Sequence, residues 1–108
     1  MNKKIEFEKD GQKYVLEYTR ESVALMERQG FSLEELSSKP MLMLPLAFQG
    51  LFYKNHRRVN KTFVDGVYDK FEDKEKLLET IAEMLDECYS SLTDDNGDDK
   101  GNISWKIV

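Results

Sequence analysis

This chain of 108 residues is poor in the residues on which most protein chemistry depends: it has one cysteine, one histidine and two prolines. A lone cysteine, Cys88, excludes an intramolecular disulfide and any multi-cysteine metal centre. The lone histidine, His56, lies among Asn55, Arg57 and Arg58, and Cys88 falls on a different expected helix, so no nucleophile and base come together in the sequence. Gly11, Gly30, Gly50 and Gly66 stand apart from one another, which excludes a glycine-rich phosphate loop. The acidic run Asp94-Asp95-Asn96-Gly97-Asp98-Asp99 lacks both the register and the closing glutamate of a calcium loop, and reads as solvated linker. No apolar stretch reaches the roughly 20 residues that cross a bilayer. Residues 1–8, MNKKIEFE, carry two lysines but no apolar segment behind them, so no signal peptide is expected. The expectation is a cytoplasmic protein without a catalytic centre, metal or cofactor.

Charge is plentiful but unevenly spread. Charged residues make up 34% of the chain, yet none occurs from Pro40 to Tyr53. That window, Met41-Leu42-Met43-Leu44-Pro45-Leu46-Ala47-Phe48 and on through Leu51 and Phe52, runs directly into Lys54, Asn55, His56, Arg57 and Arg58. An apolar surface beside a basic one points to a binding element or a core helix. Residues 1–85 are close to neutral, with 14 basic and 15 acidic groups, so the net charge of −5 arises almost wholly from residues 86–101. Phosphate recognition needs clustered cations, and a near-neutral body with one basic turn offers few.

Periodicity and punctuation define an α+β fold in a single domain. Ile5 and Phe7 alternate with charged residues, Asp10-Gly11 is a two-residue hairpin signal, and Tyr14, Leu16 and Tyr18 alternate beyond it. Pairing about this turn sets Phe7 opposite Tyr14 and Ile5 opposite Leu16, both on one face. A hairpin is therefore expected over residues 4–18, followed by a body of four to five helices over 19–92. Thr19 caps the first helix, with Val23, Leu25 and Met26, and Gly30 supplies its left-handed stop. Ser32 and Glu35 form a capping box and Phe31 and Leu36 a hydrophobic staple, predicting a short helix from Leu33 that ends before Pro40. The next helix is expected to start near Pro45, because proline suits a first turn and breaks a helix interior, and to run to about Asn55. Asn60 caps a third amphipathic helix bearing Phe63, Val64, Val67, Tyr68 and Phe71. Asp73 caps a fourth, with Leu77, Leu78, Ile81, Leu85, Cys88 and Leu92 on one stripe. An acidic linker over 93–101 separates these from a short C-terminal strand, 102–108, in which Ile103, Trp105 and Ile107 alternate.

Two helices about the turn Lys54–Lys61 could imitate a helix-turn-helix, which keeps a small nucleic-acid-binding regulator as the alternative function. The candidate recognition helix, however, shows apolar residues with Asp65 and Asp69 on its other side, and acidic groups repel phosphate.

Several segments together resemble a known family. Tyr18-Thr19-Arg20-Glu21-Ser22, Met26-Glu27-Arg28-Gln29-Gly30-Phe31, Lys39-Pro40-Met41 with Leu44-Pro45-Leu46-Ala47-Phe48, the Asn55-His56-Arg57 turn, Tyr68-Asp69 and the aromatic terminus at Trp105 look like small phage and prophage proteins. They resemble the tail assembly chaperones of long-tailed phages that infect Gram-positive bacteria. The resemblance implies a non-enzymatic protein of the host cytoplasm that coats the tape-measure protein and helps tail-tube subunits gather around it. Self-association through the apolar helical surface is expected beside it, because a protein that coats a long filament gains reach and avidity from repeated subunits. Adaptable apolar surface is needed for such a partner, and methionine suits it. The partner-binding candidates are accordingly Met41, Leu42, Met43, Leu46, Phe48 and Phe52, with His56, Arg57 and Arg58 at their edge. The competing reading makes Phe48, Leu51 and Phe52 plain core.

Overall fold

The computed structural model describes residues 3–92 and 103–107. The chain opens with strands β1 (Ile5–Lys9) and β2 (Gln12–Leu16), antiparallel in the expected register, with Phe7 opposite Tyr14 and Ile5 opposite Leu16. Asp10 and Gly11 both take positive φ, 54° and 79°. That is the type I′ geometry whose twist matches paired strands, and it explains why this dipeptide closes the hairpin. The alternation then works as the sequence implies: Ile5, Phe7, Tyr14 and Leu16 face the helices while Glu6, Glu8 and Lys13 face water.

Helix α1 (Arg20–Arg28) begins at Thr19. The Ser22 amide donates to the Thr19 hydroxyl at 3.0 Å and the Thr19 amide donates to the Ser22 hydroxyl at 2.9 Å, a reciprocal box that satisfies two orphan donors. At its other end Gly30 (φ 103°) lets the Phe31 amide reach back to Met26 and the Gly30 amide to Glu27, a Schellman closure.

Two expectations about the next segment need correction. Residues 33–38 form consecutive turns rather than a helix. The Glu35 amide donates to the Ser32 carbonyl, and only one α-type bond, from the Lys39 amide to Glu35, follows before Pro40. Helix α2 then begins at Pro40, not Pro45, and ends at Gly50, with turns continuing to Asn55. Pro40 occupies the first-turn position for which proline is preorganised. Pro45 lies inside the helix, where it lacks the amide that would bond the Met41 carbonyl. Met41 is exposed, so water can serve that carbonyl, and the interior proline is tolerated.

Helices α3 (Lys61–Lys70) and α4 (Lys74–Ser90) start where their caps predict. The Asn60 side chain accepts from the Phe63 amide at 2.8 Å, and the Asp73 side chain accepts from the Lys76 amide at 3.2 Å. The body thus holds four helices among the described residues. Leu92, expected on the α4 stripe, lies beyond the helix and is exposed. Residues 103–107 are exposed and irregular, so the expected C-terminal strand is not formed there, and the linker 93–101 lies outside the described residues.

The uncharged helix α2 organises the core through Met43, Ala47 and Phe48, which are buried. It packs against α1, α3 and α4. Met43, Ala47, Phe48, Leu51 and Phe52 join Leu16, Met26, Val64, Ile81 and Leu85 in one buried cluster. Aromatic edges tie the hairpin to it: Phe7 stacks on Tyr14 at 5.0 Å and meets Phe52 and Phe71 edge-on at 6.3 and 5.3 Å.

Candidate functional site

The nine candidate contact residues separate into three groups. Met43 (6% exposed), Phe48 and Phe52 are buried, so these three belong to the core and not to a contact surface, whereas Leu46 packs against the core and keeps part of its side chain at the surface. The physical reason is helical geometry: successive side chains turn by about 100°, so Met43 points inward while its two predecessors do not. Met43 is further held by the Ser32 amide, 3.4 Å from its sulfur. Met41 and Leu42 remain in water, 88% and 64% exposed, at the first turn of α2.

The third group is the basic turn, and it is largely occupied in holding β2. The outer edge of β2 would otherwise present open backbone groups to solvent. Instead the Val15 amide donates to His56 Nε2 at 3.0 Å, and Asn55 Nδ2 donates to the Val15 carbonyl at 3.2 Å. The Glu17 amide donates to the Leu51 carbonyl at 3.2 Å. Two side chains and one carbonyl of the turn thus take the place of a third strand. Because Nε2 accepts, the ring proton of His56 sits on Nδ1 in this arrangement.

Glu17 completes the arrangement and is one of only two buried polar residues among those described. Its carboxylate accepts from Asn55 Nδ2 at 2.9 Å and from Lys54 Nζ at 3.2 Å, with Lys4 Nζ at 3.9 Å. The Asn55 hydrogen bond leads in pulling the Glu17 carboxyl below its ordinary range, and Lys54 and Lys4 add to that pull while burial works against it. Sequence reasoning missed Glu17 because its place in the alternation reads as solvent-facing. The one available signal was the basic, Asn-containing turn, which needs a carboxylate partner somewhere.

Of the remaining cations, Arg57 lies over the Tyr53 ring at 4.6 Å and Lys61 pairs with Asp65 at 2.8 Å, while Arg58 is exposed. Cys88 is half-buried, and burial raises its thiol above the ordinary range, against the weaker opposing pull of Arg20. That direction disfavours thiolate. No three His, Cys, Asp or Glu side chains among the described residues converge as metal ligands. No helix among them is long and apolar enough to cross a membrane.

The fold and this surface define a small α+β protein with an apolar helix start exposed at Met41 and Leu42 and a polar hollow at the basic turn, lined by Gln12, Lys54, His56 and Arg58 among others. The chain belongs to the family described as Domain of unknown function (DUF5055), whose model matches residues 1–108. No curated protein and no solved structure matches it.

Proposed function

We propose that this chain is a non-enzymatic tail assembly chaperone of a long-tailed phage. It covers apolar stripes on the helix-rich tape-measure protein, and several copies act together while tail-tube subunits gather. The reading joins the family resemblance of the sequence to one structural observation: Met41 and Leu42 stay in water at the head of a helix whose Met43, Ala47 and Phe48 are core. Large apolar side chains held out from a fixed backbone suit a groove or stripe on another helix, and methionine adapts to varied partners. Lys39, bridged to Glu35 at 3.3 Å, forms a polar rim beside them. The nucleic-acid alternative gains no specific support, since Lys54 is taken by Glu17, Lys61 by Asp65, and His56 by the Val15 amide.

The test is co-expression of the tape-measure protein with the wild-type chain or with Leu42→Asp. A carboxylate forced into an apolar contact must be desolvated without a partner, so Leu42→Asp should leave the tape-measure protein in the insoluble fraction. Undiminished solubility with the substituted chain, its melting temperature unchanged, would overturn the role of this surface.

A further inference from the structure

The hairpin has one covered edge and one open edge. Val15 directs its amide and carbonyl away from β1, toward His56 and Asn55, so the facing pair Glu6 and Val15 is of the non-hydrogen-bonded kind. Glu6 and, two residues on, Glu8 therefore turn their amides and carbonyls outward along the far side of β1. Among the described residues no backbone group pairs with them, and the sheet stops at two strands. Beside this edge runs a groove of about 560 Å³, with Phe7, Val67 and Phe71 as its apolar lining. A smaller hollow of about 180 Å³ at Ile5, Leu77 and again Phe71 adjoins it. Along the groove Glu6, Glu8, Asp10 and Glu72 outnumber Lys9 and Lys70; Lys9 pairs with Asp10 at 3.0 Å and Glu6 with Lys13 at 3.3 Å, which leaves Glu8 and Glu72 against Lys70.

Residues 103–107, Ile-Ser-Trp-Lys-Ile, have the pattern this edge requires. Ile103, Trp105 and Ile107 are 81–89% exposed, which leaves three large apolar side chains without cover. In a strand its apolar residues share one face and Ser104 and Lys106 share the other. A register that sets Ile103, Trp105 and Ile107 over Phe7, Val67 and Phe71 also sets Lys106 on the water face beside Glu6 and Glu8. One alignment thus satisfies the backbone, the apolar groove and the charge.

We infer that residues 103–107 of a second copy of this chain add as a third strand to the open edge of β1. A second copy is favoured because the segment stands exposed and unpaired while its own β1 edge is open. Each chain then carries one donor segment and one acceptor edge. Passed on from copy to copy, such a contact is heterologous and repeats head to tail, which suits a protein that lines a filament. The inference deepens the self-association proposed above and rests on it.

Trp105 is the sole tryptophan, so its emission reports the contact directly. In the full chain the emission should shift to the blue as concentration rises, in step with a higher mass by light scattering, and Trp105→Ala should lose the higher-mass species. Cross-linking separates the possible donors. Glu8→Cys in one chain and Lys106→Cys in another, both with Cys88→Ser, should form a disulfide between chains on mixing. The chain carrying both cysteines is the control for pairing within one molecule. A disulfide confined to one chain, a Trp105 emission that stays that of an exposed indole at every concentration, or association that survives Trp105→Ala would each overturn the inference. Those results report how copies join, whereas co-expression with Leu42→Asp reports the apolar patch itself, so failure of one is distinguishable from failure of the other.

Discussion

Asn55→Ala tests the link between the basic turn and the hairpin most directly. The amide it removes bonds the Glu17 carboxylate at 2.9 Å and the Val15 carbonyl at 3.2 Å. A hydrogen bond to a charged group contributes about 1.5–3 kcal/mol and a neutral one about 1 kcal/mol. Asn55 itself is exposed, so water can replace it at the Val15 carbonyl, and the expected cost is about 2–3 kcal/mol. In a domain of this size that lowers the melting temperature by about 8–15 °C. The pH dependence supplies a second readout. Glu17 has a folded-state pKa below its unfolded value, with the Asn55 bond as the leading cause. Its contribution is therefore complete above the unfolded carboxylate range and disappears as pH falls through the folded value. Losing Asn55 raises the folded value toward the unfolded one, so the wild-type and Asn55→Ala melting curves should differ most at neutral pH and draw together in acid. Glu17→Gln should flatten the same acid limb. Equal melting temperatures at neutral pH, or a gap that does not change with pH, would refute this account of the turn.

The exposure difference between neighbours on α2 gives a paired expectation. Met43→Asp should cost at least about 3 kcal/mol as a buried unpaired charge, whereas Leu42→Asp should stay within about 0.5 kcal/mol by chemical denaturation. The latter is further favoured because the first turn of α2 has no acidic residue to complement the helix dipole. Gly50→Ala should destabilise by about 1–2 kcal/mol, since overpacking against buried Met26 outweighs the gain in helix propensity. A Cβ at position 50 would collide with Met26 Sδ and lie 2.6 Å from its Cγ, so the penalty should vanish in a Met26→Ala background. Tyr18→Phe removes a buried hydrogen bond to the Ala47 carbonyl and should cost about 1 kcal/mol or more in thermal melts. Tyr89→Phe, whose hydroxyl bonds Glu27 at the surface, should cost less than half as much.

What was legible in the sequence was what is decided locally. Asp10-Gly11 closes the hairpin with two residues, and Thr19, Asn60 and Asp73 each bond an amide three positions on, so these elements sit where their side chains put them. The start of α2 was misjudged because the cost of an interior proline depends on whether the carbonyl it abandons can reach water, and Met41 is at the surface. The capping box at Ser32 did not yield a helix because Pro40, seven residues past the Leu33 start, opens a helix of its own. Glu17 and the open edge of β1 are tertiary facts: each depends on which distant turn folds over which strand. The alternation of residues 103–107 identifies a segment able to pair, and cannot identify the edge it pairs with.

The magnitudes at the head of α2 decide how a partner can be held. Pro40 and Pro45 fix two backbone angles and Met43 is anchored in the core, so Met41 and Leu42 are presented on a backbone that loses little further freedom on binding. Burying each side chain contributes about 1.5–3 kcal/mol. Ordering a methionine costs up to about 2 kcal/mol and a leucine about 0.5–1 kcal/mol. The surplus from two residues is then of order 1–3 kcal/mol, below the roughly 4 kcal/mol that a millimolar complex requires. A single chain therefore cannot hold a stripe of apolar helix by this patch alone. Useful affinity has to come from several copies engaging one long partner at once, where each bound copy raises the effective concentration of the next. A modest patch on each subunit and a head-to-tail contact between subunits are then two parts of one requirement. Loss of Trp105 should weaken capture of the long partner even though that side chain never touches it.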